Sequence, residues 1–128
     1  MSYYFGKTVE TSFEETLERV ASALQEEGFG VLTEIDVQET LKKKLNVDFR
    51  KYRILGACNP PFAYRALQAE DKIGVLLPCN VIVQETTEGS VEVSAMDPAE
   101  AMAMIENADL KDVAEQVRGK LQRVIDSL

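Results

Sequence analysis

The residues best suited to chemistry fall in two short stretches. Ile54-Leu55-Gly56-Ala57-Cys58-Asn59-Pro60-Pro61 and Val75-Leu76-Leu77-Pro78-Cys79-Asn80-Val81 each hold a Cys-Asn pair beside proline. Cys58, Asn59, Pro60, Pro78, Cys79 and Asn80 are therefore the candidate ligand or thiol site. Asn59-Pro60-Pro61 joins a capping residue to prolines that suit the first turn of a helix, so Cys58 would stand just before a helix N-terminus. Free amides and the helix dipole favour a negative group there, whether a thiolate or a bound carboxylate or phosphate. The competing reading is structural: the turn is only a cap and the thiols are packing. Cys58 shares strand parity with Tyr52 and Ile54, and Cys79 with Val81 and Val83, so both are expected to face the core as small hydrophobes. Successive antiparallel strands tend to be neighbours, which would bring the two cysteines close together.

Other chemistry is narrowed by what the chain lacks. It has no histidine, which removes Ser-His and Cys-His nucleophile pairs, imidazole ligands and the usual proton shuttle near neutral pH. As metal ligands the cysteines make only a pair, whereas a structural zinc site needs four donors. Further donors would have to be carboxylates, methionines or a second subunit. Met96, Met102, Met104 and Ile105 could line an adaptable apolar pocket or simply fill the core. Glu14, Glu15, Glu18, Glu26 and Glu27 read as a solvated helix face rather than a catalytic pair. Gly28-Phe29-Gly30 has neither the spacing nor the lysine of a phosphate loop. No catalytic residue, metal ligand or cofactor is assigned.

The elements that must position these residues belong to one domain spanning 1–128. That length suffices for a single core, and 45% apolar with 28% charged residues is ordinary for a globular fold. Fourteen Lys and Arg against 22 Asp and Glu leave a net charge of −8, which repels phosphate backbones and anionic lipid, so neither nucleic acid nor a membrane is an expected partner. The first residues lack a basic segment followed by an apolar run, and no run of 18 apolar residues occurs. The expectation is a cytoplasmic chain with two reduced thiols.

Periodicity supplies the element order. A strand over Tyr3 to Val9 leads through a capping box, Ser12 with Glu15, into a helix whose stripe is Phe13, Leu17, Val20, Ala21 and Leu24 and which stops at Gly28. Gly30 to Asp36 alternates as a strand, and Val37 to Leu45 reads as a short Lys-rich helix. A third strand holds Tyr52, Ile54, Gly56 and Cys58 on one parity, followed by a helix from Pro60 to about Glu70. Ile73 to Glu85 has strong β character, with Pro78 marking an edge, a bulge or a break. Thr86-Thr87-Glu88-Gly89 turns into a strand over Ser90 to Met96, and Asp97-Pro98 starts a short helix. The closing helix, capped at Asp109, carries Leu110, Val113, Ala114, Val117, Leu121, Val124, Ile125 and Leu128. Hairpin-linked strands with amphipathic helices predict an α+β fold, an antiparallel sheet with both long helices on one face.

The stretch from Tyr52 through Val83, followed by the Met96-Asp97-Pro98 turn, resembles the domain of unknown function 302 family, and the likeness extends over nearly the whole chain. The resemblance implies a fold similar to the TATA-box-binding-protein-like α+β class, β-α-β4-α with inserted short helices, and it carries no catalytic residue over. Two functions stay open: a non-catalytic module binding a small ligand or a protein, and a thiol-dependent redox or metal-handling protein using Cys58 and Cys79. A homodimer formed through the apolar Ile73 to Val83 segment is the expected assembly.

Overall fold

The computed structural model describes residues 2–128. Its first strand, β1 (Tyr4–Val9), runs into helix α1 (Phe13–Glu26), whose N-cap Ser12 accepts a hydrogen bond from the Glu15 amide at 3.1 Å. This is the Ser12 half of a capping box, and it satisfies one of the amides a helix start leaves free. The far end closes as a Schellman turn. Gly28 adopts φ +86°, its amide donates to the Gln25 carbonyl, and the Phe29 amide donates to that of Leu24. Leu24 and Phe29 are both buried, which is the apolar contact that accompanies this motif.

Strand β2 (Gly30–Asp36) and helix α2 (Val37–Leu45) follow, then β3 (Tyr52–Cys58), α3 (Pro60–Ala69), β4 (Cys79–Glu85), β5 (Val91–Met96), the single turn α4 (Pro98–Ala101) and the closing α5 (Ala108–Asp126). The strands form one antiparallel sheet in the order β1-β5-β4-β3-β2. In β4 and β5 the burial alternates: Cys79, Val81, Val83 and Val91, Val93, Ala95 are all buried. These residues form the floor of the core. Helices α1 and α5 touch each other and lie over that floor, so both long helices share one face as the hairpin-linked pattern predicts. Helix α5 presses Leu110, Val113, Leu121, Val124 and Ile125 into it, each buried to 4% exposure or less. Each such side chain contributes about 1.5–3 kcal/mol through removal from water.

Neither α1 nor α5 covers the opposite face of the sheet. The strand registers align Gly6, Ser94, Ile82, Ile54 and Ile35 in one row across all five strands on that side. Ile35 is exposed, while Ile54 and Ile82 are half-buried.

Three expectations change. At Pro78 the chain breaks, as one of the three readings had it, but the part before the break is not a strand: Ile73–Leu76 is a 3-10 turn, and β4 begins only at Cys79. Nor does this segment reach a sheet edge, because β4 is the central strand and β1 and β2 are the edges. The argument for self-association through it loses its basis. The cap of α5 is Asn107 rather than Asp109; its side-chain oxygen accepts from the Leu110 amide at 3.1 Å, and its Nδ2 donates to the Ala69 carbonyl at 2.8 Å. Asp97 caps α4 as its position implies, accepting from the Ala99 and Glu100 amides while its second oxygen accepts from Arg118 Nε at 2.8 Å.

One glycine is fixed by crowding. Gly56 is buried between β2 and β4, where an added Cβ would collide with the Thr33 hydroxyl and stand 2.8 Å from Pro78 Cγ. Gly56→Ala should therefore destabilise the fold by roughly 1–3 kcal/mol, the range for overpacking a filled site. Thr33→Ala in the same chain should recover part of that loss. Urea unfolding followed by circular dichroism measures both, and equal stability of Gly56→Ala and the parent would refute the crowding.

Candidate functional site

A cavity of about 340 Å3 opens where β3 ends, α3 begins and β4 starts. Its origin lies in residue size. Ala57 of the sheet, Ala63 and Ala66 of α3 and Ala114 of α5 all contribute to its walls, and four methyl groups stand where larger side chains would interdigitate. Phe29, delivered by the Schellman turn after α1, closes another side. No carboxylate and no amine lines the cavity among the described residues.

The structure divides the six candidate residues. Cys58, Asn59, Pro78 and Cys79 line the cavity; Pro60 and Asn80 are exposed and do not. Asn80 lies in β4 between the buried Cys79 and Val81, on the parity that faces away from the helices. Pro60 occupies the first position of α3, where its missing amide and fixed φ suit the helix start.

The parity expected for β3 is reversed. Its core-facing residues are Leu55 and Ala57, paired with Val81 and Cys79 of β4, so Cys58 falls on the parity of Ile54 and Gly56. Cys58 nevertheless reaches the cavity because it ends β3, where the chain leaves the sheet for α3. The two thiols thus meet the same space from neighbouring strands, with Cys58 one residue beyond the partner of Cys79. Both are free, Cys58 half-buried and Cys79 buried to 6% exposure. Burial pushes the Cys79 thiol up to about 11, and a negative charge on Cys58 would push in the same direction.

Asn59 is buried but does not cap α3 with its side chain. Its Nδ2 donates instead to the Glu27 carbonyl at 3.1 Å, tying the end of α1 to the start of α3. Glu27 also accepts from Arg123 on α5 at 3.1 Å, and this guanidinium, with Lys120, holds its carboxyl below the ordinary range. The start of α3 is poorly suited to an anion. Pro60 and Pro61 remove two of the four amides that a helix N-terminus offers, and the Asn59 amide group is already engaged.

Sequence reasoning singled out the thiols, Asn59 and Pro78 but missed Phe29, Ala57, Ala63, Ala66 and Val117. Ala63 and Ala66 stand three apart on one helix face, a signal of close approach or unfilled space that could have been read. Met102, an open choice between pocket and core, is buried and lines the cavity, while Met104 is 84% exposed.

Three measurements probe this arrangement. Ellman's reagent should modify Cys58 in the native chain and reach Cys79 only after denaturation; equal rates at both would contradict the burial. The folded state holds its Cys79 proton more tightly than the unfolded chain, whose thiol titrates near 9.0. Stability from the buried neutral thiol is thus fully present below pH 9 and falls as pH rises toward 11, by roughly 3 kcal/mol for a two-unit gap. Cys79→Ala should flatten the urea-midpoint profile between these pH values. Asn59→Ala should lower stability by about 1–3 kcal/mol, since it leaves the Glu27 carbonyl without its partner.

Comparison with known proteins places the chain in a family. No curated protein matches the chain. Among solved structures it is similar to the crystal structure of an uncharacterized conserved protein DUF302 from Bacillus stearothermophilus, with 31% sequence identity, 98% of each chain covered and a TM-score of 0.91. The family model for the domain of unknown function DUF302 matches residues 5–128. With Tyr52 to Val83 and the Asp97-Pro98 turn inside that span, the chain belongs to the DUF302 family.

Proposed function

We propose that this chain is a non-catalytic binding module that takes one small, uncharged, apolar ligand into the cavity between α3, α5 and the ends of β3 and β4. The observation that carries this reading is the cavity itself. At about 340 Å3 it falls within the size of small-molecule sites, roughly 300–1,000 Å3, and its lining is almost wholly hydrocarbon and sulfur. Thr33 and Asn59 are its polar side chains, and Asn59 is already committed to Glu27.

The chemistry of the walls favours binding over turnover. General acid-base catalysis needs a titratable group within hydrogen-bond reach of the substrate, and the titratable lining groups are the two thiols. A charged ligand with no affinity for sulfur would leave water for a lining that offers it no counter-ion, which is strongly unfavourable. An apolar ligand instead gains in proportion to the area it buries, and a preformed cavity adds little ordering cost.

Titration with N-phenyl-1-naphthylamine, a neutral apolar fluorophore, tests the proposal. Its emission should rise and saturate at one probe per chain. Ala63→Phe, which places a ring in the cavity, should weaken binding by about tenfold or more, the effect of losing roughly 1.4 kcal/mol, while circular dichroism stays that of the parent. A titration that fails to saturate, or equal affinity in Ala63→Phe, would defeat the proposal.

A further inference from the structure

We propose that this cavity also takes one monovalent copper ion, held by the sulfur atoms of Cys58, Cys79 and Met102. The site shares its space with the apolar-ligand reading but adds an occupant that reading does not contain. The chain has six sulfur-bearing residues, two Cys and four Met, and these three line a single cavity. They come from three separate elements: the last residue of β3, the first residue of β4 and the cap that ends α4.

The donor set selects the ion. Thiolate and thioether are soft ligands that favour Cu(I). Calcium and magnesium require oxygen ligands, and no carboxylate lines the cavity among the described residues. Zinc in a structural site takes four donors, one more than the sulfurs supply. β3 and β4 pair Ala57 with Cys79, so Cys58 is next along its strand, and both cysteines line the cavity where β3 ends and β4 begins. Met102 follows α4, where its amide donates to the Pro98 carbonyl at 3.0 Å, and it is buried and lines the same cavity.

The binding step balances without a redox partner. Cys58 and Cys79 each release one proton to solvent, two S–Cu bonds form to thiolate and one to the Met102 thioether, and copper stays in the +1 state. The complex carries one negative charge. The Lys120 ammonium stands 5.8 Å from the centroid of the Phe62 ring that lines the cavity and is shared with the Glu27 carboxylate.

The test is an anaerobic titration of the full reduced chain with Cu(I) in competition with bicinchoninate, followed by X-ray absorption of the loaded protein. One Cu(I) per chain, withdrawn from the chelator and surrounded only by sulfur, is the expected result. Cys58→Ser should lower the affinity by about a hundredfold or more, and Met102→Leu, which preserves volume, by about tenfold. Because Cys79 is buried, Cys79→Ala is judged only if its circular dichroism matches the parent; Cys58→Ser and Met102→Leu decide the matter otherwise. Copper left on the chelator, nitrogen or oxygen in the absorption spectrum, or full affinity in either Cys58→Ser or Met102→Leu would overturn the three-sulfur site. N-phenyl-1-naphthylamine binding to the metal-free chain is measured separately. Loss of copper binding with probe binding intact therefore refutes this inference alone, and the reverse refutes the apolar-ligand reading alone.

Discussion

The hydrogen bond from Asn59 Nδ2 to the Glu27 carbonyl is the join on which the site depends. The backbone of Glu27 meets α3 through Asn59, and its carboxylate meets α5 through Arg123 and Lys120. One residue at the end of α1 thereby fixes three helices around the same corner of the sheet. Gly28 must follow it with positive φ, and a side chain there would press on Asn59 Nδ2 at 3.2 Å. The Schellman turn then delivers Phe29 into the cavity wall and starts β2 beside β3. The buried hydrogen bond and the left-handed glycine are thus one constraint, and the shape of the cavity follows from both.

Much of this architecture is legible in the chain, for identifiable reasons. Val91, Val93 and Ala95 alternate with Glu92 and Ser94, and a half-buried strand permits only one reading of such a pattern. Ser12 and Asp97 cap where their sequence context implies. The third strand resists, because Ile54 and Leu55 are adjacent and both apolar, so neither parity is marked as the inner one. Leu55 in fact meets Val81 in the core, while Ile54 joins Ile82 and Ile35 on the other face. For α5, Asn107 and Asp109 are equally good capping types; a tertiary bond from Asn107 to the Ala69 carbonyl decides between them, and no local pattern encodes it. Ile73 to Leu77 looked like strand because an apolar run gives no period of its own. The candidate site was half legible: its sulfurs stand out by type, whereas its space is made by alanines that carry no chemical signal.

Those alanines also set the energetic character of the corner. A protein interior normally fills to the density of an organic crystal, and unfilled volume forfeits dispersion contacts on every side. Here the loss is local, bounded by well-packed layers: Val20, Leu24, Val81, Val83, Val93 and Leu121 are fully buried nearby. The core supplies the stability that lets one corner stay open. Met102 and Ala114 line both this cavity and a second one beside α4 and α5, so a thin apolar wall separates the two spaces.

The register slip in β2 between Val31 and Thr33 has a consequence for how this protein behaves when crowded. The strand is an edge, and Val31, Leu32 and Ile35 are exposed along it, at 37%, 69% and 48%. A straight edge of that composition would offer an even row of unpaired amides and carbonyls to any extended chain, the template from which sheets grow between molecules. An irregular step at Leu32 breaks the spacing of that row and twists the strand locally, so an incoming chain could follow the ladder for only a few residues before losing register. Leu32 and Thr33, at that step, also line the cavity, so one irregularity sits both on the exposed margin of the sheet and at the wall of the site.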